Sequence, residues 1–433
     1  MGGCDGRVTD MGAHYRRNPT GLTLNFPPSW AVYPGNGILQ STPKQEGVIM
    51  FMPFYMPGRR RLRVVVAGGG YAGLAALSAL RTQRPDADLV LIDPRPHHLK
   101  ITRLHESFRR PLAEFQVPFS ALGRRFGFRH VQAALPIDEP ALSQWNTGRA
   151  LTVDGAALEF DYLLIATGGS YRKPEKSPET LDLDDFSTET GSGLIDLYRD
   201  AIESRGRYLT VVGGGATGIQ FLFEIAHYLQ RQRSACRLRL VDADPAPLGQ
   251  FRPGLGRYAQ VRLADLGIDY HPDQRFQAQA DGVLQLQARA SGQPLALASD
   301  LTLLFLGNNP AQRWEANWFG QVVSGGAALE RIYTAGDCSR YRPPGSNALS
   351  AQTALRKGRL AARNILRHAS PVRLLEPYLY RDLGYVVSLG PEDAVGWIGL
   401  ERNVVGGAPA KVAKDIVEAQ YDLLLAGVDT YMP

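Results

Sequence analysis

The sequence predicts an α/β fold, because one strand–glycine turn–helix–strand unit occurs twice along the chain. In the first unit, the run 61–67, Arg-Leu-Arg-Val-Val-Val-Ala, predicts a buried strand and the run 88–93 predicts a second strand. Residues 74–81 lie between these runs and have the composition of a helix. This order of elements is typical of a parallel sheet with a crossover helix.

The second unit begins at 208–212, where Tyr-Leu-Thr-Val-Val predicts another buried strand. A helix is predicted from Thr217 to Gln232, and a further strand is predicted over 237–242. Because the two units are far apart in the chain, we interpret them as duplicated domains and not as a short solenoid repeat.

Composition and charge exclude several classes of protein. The chain has 433 residues, 44% hydrophobic and 21% charged, which is typical of a globular protein whose cores need no disulfides. The net charge is +6, but no dense basic tract with interleaved aromatic residues occurs, so nucleic-acid binding is not predicted. Cys4, Cys236 and Cys338 form no C-x-x-C motif, which argues against a zinc knuckle or a dithiol pair, and Cys338 is expected to be a small core residue. The histidines at 97, 98, 105 and 271 lack the cysteine or carboxylate spacing of a metal site, so we expect them to pack in the core or to contact a cofactor. No apolar run reaches the roughly 18 residues of a membrane span.

The first glycine turn is the segment 68–73, Gly-Gly-Gly-Tyr-Ala-Gly, which matches G-x-G-x-x-G between a strand and a helix. The first glycine permits a tight turn, the second lets the backbone approach a pyrophosphate, and the third lets helix and strand pack closely. The helix N-terminus then offers free N–H groups to the phosphates. Asp93 ends the next strand, where a carboxylate accepts hydrogen bonds from ribose hydroxyls. The sequence therefore predicts a dinucleotide site.

The second glycine turn, segment 213–218, repeats this arrangement with Asp242 as the terminal acid. Two dinucleotide sites in one chain indicate electron transfer between a bound flavin and an exchangeable nicotinamide. Asp242 predicts a preference for NADH, because a carboxylate repels the 2′-phosphate of NADPH. Arg252 and Arg257 are the counter-evidence, since they follow closely in the sequence.

Two further segments, 162–169 and 331–337, are predicted strands that run into glycine turns. Together with the two glycine-rich turns, and in this order, they resemble the two-dinucleotide-binding-domain flavoproteins of the pyridine nucleotide–disulfide oxidoreductase superfamily. The resemblance covers roughly residues 62–425 and implies FAD and NADH as cofactors. It also implies that Asp337 hydrogen-bonds the ribityl or phosphate region of FAD.

Within this superfamily, the sequence is most similar to type II NADH:quinone oxidoreductases. That resemblance implies an FAD-dependent dehydrogenase that takes a hydride from NADH and passes electrons to a quinone or quinone-like acceptor. It further implies a cytoplasmic protein, for which a peripheral position on the inner face of the membrane stays open. The local matches are the segments 97–99, 104–106, 336–338, 351–365 and 380–396.

Two segments depart from the pattern of the type II enzymes. Their second-domain helix carries G-x-E-x-x-x-E facing the nicotinamide and quinone, whereas here Gln220 replaces the first acid and Glu224 keeps the second. Their quinone pattern A-Q-x-A-x-Q-Q keeps Gln352 here, but Arg356 and Lys357 replace the later glutamines. The electron acceptor therefore stays open, as does a flavin-bearing sensor with little turnover. The missing cysteine pair disfavours a sulfide:quinone-type reductase.

These arguments define the predicted site. The candidate catalytic residues are Gln352, Gln220 and Glu224, and no metal site is predicted. The predicted cofactor-binding residues lie in glycine turns or follow the adjoining strands: Gly68, Gly70, Tyr71, Ala72, Gly73, Asp93, Thr167, Gly168, Gly213, Gly215, Thr217, Gly218, Asp242, Gly307, Gly336 and Asp337.

The predicted architecture is two interleaved Rossmann-like domains, binding FAD and NAD, plus a C-terminal interface segment. The FAD-binding domain is predicted at 60–190 and 298–370, with the NAD-binding domain, 191–297, inserted between these parts. The segment 371–433 is expected to pack near the flavin ring.

The two ends of the chain differ from the predicted domains. Residues 1–58 are rich in glycine and proline, and we interpret them as disordered or as preceding a natural start near Met50, Met52 or Met56. Near the other end, Ala410–Ala426 is weakly amphipathic. Its predicted apolar face comprises Ala413, Ile416, Val417, Leu423 and Leu424, and Lys411 and Lys414 are expected elsewhere on the helix. An ordinary docking helix is the favoured interpretation, and a homodimer surface or a peripheral membrane contact stays open.

Overall fold

The computed structural model describes residues 61–169, 176–205, 208–307, 313–343, 345–379, 382–400 and 402–431. The prediction for residues 1–58 lies outside these ranges.

Within the described ranges, 23 β-strands and nine α-helices are present. The strands are β1 (Arg63–Ala67), β2 (Asp88–Ile92), β3 (His97–Leu99), β4 (Gln116–Pro118), β5 (Phe128–Val131), β6 (Ala150–Val153), β7 (Ala156–Glu159), β8 (Tyr162–Ile165), β9 (Thr180–Asp182), β10 (Tyr208–Val212), β11 (Arg237–Val241), β12 (Asp269–His271), β13 (Gln274–Ala280), β14 (Val283–Ala288), β15 (Pro294–Ala298), β16 (Leu301–Leu304), β17 (Trp314–Ala316), β18 (Gln321–Ser324), β19 (Ala327–Thr334), β20 (Ser339–Tyr341), β21 (Gly384–Ser388), β22 (Ala394–Ile398) and β23 (Val404–Gly406). The helices are α1 (Tyr71–Gln83), α2 (Phe119–Phe126), α3 (Glu139–Gly148), α4 (Asp185–Thr188), α5 (Gly191–Arg205), α6 (Ala216–Arg231), α7 (Pro253–Asp265), α8 (Ala351–Ala369) and α9 (Ala408–Leu425), with short 3-10 helices at Ile101–Phe108 and Leu112–Glu114.

The first sheet has eight strands in the order β20-β17-β18-β19-β8-β1-β2-β5. Within this sheet, β1 pairs in parallel with β2 on one side and with β8 on the other. Apolar side chains of β1 are buried on both faces, as expected of a parallel strand covered by helices on both sides. The predicted first strand–helix–strand unit is thus formed by β1, α1 and β2.

The second sheet has five strands in the order β12-β11-β10-β16-β9, all of them parallel. By sheet membership, this domain reaches from Thr180 to Leu304, which is wider than the predicted range 191–297. The difference arises because β9 and β16 are short strands whose partners are distant in sequence, and local patterns carry no signal for such pairing. The chain leaves the first sheet after β8 and returns to it at β17, so the predicted α/β class with two interleaved domains is confirmed.

The C-terminal segment forms the antiparallel sheet β21–β22–β23 and the helix α9. Tyr421, Leu424 and Leu425 of α9 join the core that surrounds α1 and β1. The predicted apolar face of this helix is therefore wrong in part: Leu424 is buried in that core, whereas Ile416 is 64% exposed. Lys414, expected on the polar face, is buried as well. No helix among the described residues is long and apolar enough to cross a membrane.

Candidate functional site

The first glycine turn, 68–73, connects β1 to α1 and requires glycine at two positions. Gly68 has a φ of 108°, and a Cβ there would overlap the carbonyl oxygen of Ala166, the residue after β8. A Cβ at Gly73 would overlap the carbonyl oxygen of Gly68, so the start of α1 lies directly against the turn. The motif thus keeps helix, turn and neighbouring strand in close contact.

Gly70 has a different environment, which matches the shape that a bound pyrophosphate requires. It is the N-cap of α1, no side chain caps the helix there, and no atom lies within 4 Å of the place where its Cβ would stand. The first N–H groups of an α-helix have no partner within the helix, so those of α1 need an acceptor from outside it. A phosphate anion at a helix N-terminus supplies that acceptor, so the turn fits a dinucleotide. Tyr71 and Ala72 form the first turn of this helix.

Asp93 follows β2 and is only 2% exposed. Its Oδ2 accepts the backbone N–H of Gly69 at 2.7 Å and pairs with the Arg95 guanidinium at 2.9 Å. Burial alone would raise the pKa of Asp93, but the hydrogen bonds and charge of Arg95 and the Gly69 amide bring it below its ordinary value. The side chain is therefore an ionised acceptor that is joined directly to the first turn.

The second glycine turn, 213–218, reproduces the first in detail. Gly213 also has a φ of 108°, and a Cβ there would overlap the carbonyl oxygen of Phe305. A Cβ at Gly218 would overlap the carbonyl oxygen of Gly213. Gly215 is the N-cap of α6 without a side-chain cap, and Thr217 lies in the first turn of that helix. The same chemistry of free N–H groups thus occurs twice.

Asp242 follows β11, in the position that Asp93 has in the first domain. It is largely buried and accepts backbone N–H groups, including that of Gly214. Burial raises the pKa of Asp242, and the backbone amides offset this rise only in part. The two acids therefore differ, because Asp93 has a guanidinium partner that holds its pKa down.

Three further glycines with positive φ follow parallel strands. Gly168 (77°) comes after β8, Gly336 (80°) after β19 and Gly307 (86°) after β16. Because the carboxyl ends of parallel strands meet at one edge, Gly168 and Gly336 lie at the same edge of the first sheet as the first turn. Thr167 and the half-buried Asp337 are adjacent to them in the chain, whereas Gly307 lies at the corresponding edge of the second sheet.

The three candidate catalytic residues are divided between two helices. Gln220 and Glu224 lie on successive turns of α6, whereas Gln352 lies half-buried in the first turn of α8. The Oε1 atom of Gln220 accepts the backbone N–H of Ser388 at 3.4 Å, which joins α6 to the C-terminal sheet. Glu224 is 1% exposed, and its carboxylate pairs with Arg109 at 3.2 Å. Burial raises the pKa of Glu224, and Arg109 opposes that rise.

A buried network of charges surrounds Glu224 and was not predicted from the sequence. Glu106 is buried, pairs with Arg103 at 3.1 Å and lies near Arg109. Burial would raise the pKa of Glu106, but the surrounding cations, Arg103 first, bring it far below its ordinary value. Arg103 also pairs with Glu418 of α9 at 3.2 Å. These contacts join both domains to the C-terminal helix, and the only sequence signal was the Leu-His-Glu match at 104–106.

Lys357 is a second buried charge that the sequence did not predict as buried. It lies five residues after Gln352 on α8, which places it about 140° around the helix from that residue. Its Nζ donates to the Ser339 hydroxyl at 3.0 Å and lies 4.5 Å from the centre of the Tyr341 ring. Burial lowers the pKa of Lys357 to about 8, and nearby Asp337 opposes the shift.

The remaining expectations concerned histidines and cysteines. His98 is fully buried and contacts the first turn, and His271 pairs with Asp269 at 3.1 Å. Cys338 lies in the core as a small buried residue, and its Sγ contacts the carbonyl oxygen of Ala335. Among the residues that the structure describes, no group of three or more His, Cys, Asp or Glu is arranged to hold a metal ion.

Two uncapped helix N-termini, each beside a strand-terminal aspartate, define a class of protein that binds two dinucleotides in one chain. The chain belongs to the pyridine nucleotide-disulphide oxidoreductase family, whose model matches residues 62–358. It is therefore an oxidoreductase, and the predicted cofactors, FAD and NADH, are confirmed as those of its family.

Individual relatives extend the similarity beyond the family model. The type II NADH:quinone oxidoreductase of Staphylococcus aureus is 24% identical over 405 residues, which cover 85% of this chain and 97% of the relative. NDH2 of Plasmodium falciparum in complex with NADH has the same fold, with a TM-score of 0.70, 13% identity, and 84% and 95% of the two chains covered. The sulfide:quinone oxidoreductase of Aquifex aeolicus gives a TM-score of 0.68 at 18% identity, with 85% and 92% covered.

Proposed function

We propose that the protein is an FAD-dependent NADH dehydrogenase that passes electrons to a quinone or a quinone-like acceptor. The observation that carries this proposal is the duplicated glycine turn with its uncapped helix N-terminus and buried aspartate. The S. aureus relative named a type II NADH:quinone oxidoreductase supports it, because the similarity spans nearly the whole of that enzyme.

The two sheets are proposed to bind different cofactors. The first turn, with Asp93 and Asp337, holds FAD, and the second turn, with Asp242, holds NADH through its ribose. When bound, the two dinucleotides would supply hydride-transfer chemistry, and the contribution of the two turns would be to hold them in a productive relative position. Gln220 and Gln352 are proposed to contact the rings, because one lies on the helix that begins at the second turn and the other on the first turn of α8.

The acceptor side of the proposal rests on α8 and α9. Arg356 lies four residues after Gln352, so the two share one side of α8, and both are half-buried. On α9, Ile416 and Val417 are exposed, and their apolar surface is consistent with peripheral contact to a membrane that carries the quinone. The alternative proposal is that a second copy of the chain covers Ile416 and Val417 in a homodimer.

A sulfide:quinone-type reductase is the second candidate, favoured by the fold of the A. aeolicus enzyme. Cysteine chemistry counts against it, because the Cys338 sulfur is buried among backbone carbonyls and Cys236 precedes β11 in the second sheet. A flavin-bearing sensor with low turnover is the third candidate, and the departures at Gln220, Arg356 and Lys357 support it.

The deciding experiment has two stages. Stopped-flow absorbance measures flavin reduction by NADH, and steady-state NADH oxidation is then followed with a soluble quinone. We expect fast reduction and turnover that depends on the quinone. Fast reduction without turnover on any quinone would favour the sensor, and no reduction by NADH would contradict both. Gly215→Val is the matched control, because its side chain blocks the approach of a pyrophosphate to the second turn, which is proposed to bind NADH. The first turn, which is proposed to bind FAD, is left unchanged.

A further inference from the structure

The C-terminal helix reaches the first glycine turn through one buried histidine. The Tyr421 hydroxyl of α9 lies 2.8 Å from Nε2 of His98, and Nδ1 of His98 lies 3.0 Å from the carbonyl oxygen of Gly69. His98 is 0% exposed and Tyr421 is 7% exposed. Gly69 lies within the turn, and its own N–H donates to Asp93. One chain of hydrogen bonds therefore runs from α9 through the turn to the strand-terminal acid.

The direction of each hydrogen bond in this chain follows from its chemistry. A carbonyl oxygen only accepts, so Nδ1 of His98 carries the hydrogen that is donated to Gly69. Burial lowers the pKa of His98 to about 3, so the ring is neutral and Nε2 has a free lone pair. Burial raises the pKa of Tyr421 well above its ordinary value, so its hydroxyl stays protonated and donates to Nε2. His98 is thus fully satisfied in one tautomer only.

Aromatic packing strengthens the same connection. Tyr71 is the first residue of α1, and its ring meets the His98 ring edge-on at 5.2 Å and the Tyr421 ring at 4.5 Å. The Tyr71 hydroxyl is hydrogen-bonded to Thr102 at 2.8 Å. The three rings therefore fix the position of the N-terminus of α1, which follows Gly70, relative to α9.

We propose that Tyr421 and His98 are positioning residues that hold the first glycine turn in the shape required for FAD, which makes the C-terminal helix part of the structure that retains the flavin. The inference rests on the proposed assignment of FAD to this turn. Neither side chain needs to touch the flavin, because each acts through the backbone of Gly69. A purely structural role for the pair would stabilise the fold without any selective effect on flavin release.

The chain offers a closely matched control. Tyr162 of β8 is hydrogen-bonded to Nδ1 of His368 at 2.7 Å, and this pair is also buried within the first domain. Tyr162 begins β8, at the opposite end of the strand from the glycine turn, and His368 lies at the end of α8. Tyr162→Phe therefore removes the same kind of bond from the same domain at a distance from the proposed flavin site.

The test compares FAD release from Tyr421→Phe, His98→Asn, their double variant and Tyr162→Phe. Asparagine keeps a donor near the position of Nδ1 but cannot reach Tyr421. Flavin fluorescence after dilution gives the dissociation rate, and the thermal midpoint of the FAD-free protein measures stability. We expect Tyr421→Phe and His98→Asn to release FAD about five- to ten-fold faster, as for loss of one buried hydrogen bond. The double variant should be no faster than the faster single variant, because both changes break one chain.

The control sets the outcome that overturns the inference. Tyr162→Phe should lower the thermal midpoint and leave the release rate within about two-fold of wild type, since its bond lies away from the turn. Equal acceleration in Tyr162→Phe and Tyr421→Phe, or none in Tyr421→Phe, would show that the pair only stabilises the fold. Wild-type protein that retains no FAD would instead overturn the assignment of the turn, and the inference with it.

Discussion

Replacing Lys357 by methionine should stabilise the protein at neutral pH and remove a specific dependence of stability on pH. Lys357 is 1% exposed, and its ammonium group donates to the Ser339 hydroxyl and lies over the Tyr341 ring. Methionine has a similar length and keeps the apolar contacts without a charge. Ser339 keeps its own hydrogen bond to the Gly336 carbonyl, at 2.6 Å.

The magnitude follows from the pKa of Lys357, which burial lowers from 10.5 to about 8. Each pKa unit corresponds to about 1.4 kcal/mol, so the buried charge costs about 3 kcal/mol at pH 7. Removal of the charge therefore gains about 3 kcal/mol, but methionine also loses the hydrogen bond to Ser339 and the contact with the Tyr341 ring. Those losses cost about 1–2 kcal/mol. The net expectation at pH 7 is a variant that is more stable than wild type by about 1–2 kcal/mol.

The sign of the pH dependence is fixed by proton binding. Between pH 8 and the ordinary lysine pKa, the unfolded chain binds a proton at Lys357 that the folded chain does not bind. The free energy of unfolding of the wild-type protein therefore rises with pH across this window, and the cost of the charge is fully present below it. Methionine has no such proton, so the advantage of the variant should decrease from pH 8 to pH 10.

The assay is the difference in thermal midpoint between wild type and Lys357→Met, measured from pH 7 to pH 10 on FAD-free protein. Lys176→Met is the control, because Lys176 is exposed and its partners, which include Asp185, raise its pKa above 10.5. Its difference from wild type should be constant over this range. A constant difference for Lys357→Met as well would refute the argument, because the amine would then keep its proton in the folded protein.

Three further predictions concern the dinucleotide turns. Gly70→Val should fold, because a Cβ at this position meets no atom within 4 Å apart from the adjoining residues and φ is −79°, yet it should be isolated without flavin; full flavin retention would contradict the proposed turn. Asp337→Ala should raise the FAD dissociation constant about ten-fold or more, measured by titration of the FAD-free protein. NADH should reduce the flavin faster than NADPH, because Asp242 is fixed by its strand whereas Arg252 and Arg257 are exposed, and Asp242→Ser should narrow that preference. Faster reduction of the wild type by NADPH would assign specificity to the arginines.

The strand–turn–helix units were predictable because their signals are local. A few neighbouring residues are enough to predict the strands β1 and β10. The same is true of the glycine turns at 68–73 and 213–218. The prediction of a core position for Cys338 also needed only its sequence neighbourhood, and the structure confirms it.

The remaining features depend on contacts between distant segments, which no local pattern encodes. The membership of β9 in the second sheet is set by pairing with β16, more than one hundred residues away. The buried face of α9 is set by the core around α1, so Lys414 is buried and Ile416 is exposed although helical periodicity suggested otherwise. Lys357 is buried because its side of α8 contacts β20. The sequence shows only that a lysine stands where the type II enzymes have a glutamine, and this difference does not indicate which strand the residue contacts.

The interleaved order of the sheets has a consequence for synthesis on the ribosome. The second sheet uses strands only from Thr180–Leu304, so all of its hydrogen bonds can form before the chain reaches β17. The first sheet cannot close until β19 emerges to pair with β8, and the tyrosine that contacts His98 comes still later, at residue 421. We expect nascent chains of which about 310 residues have emerged from the ribosome to carry a folded second domain attached to an incomplete first sheet whose edge at β8 is exposed to chaperones.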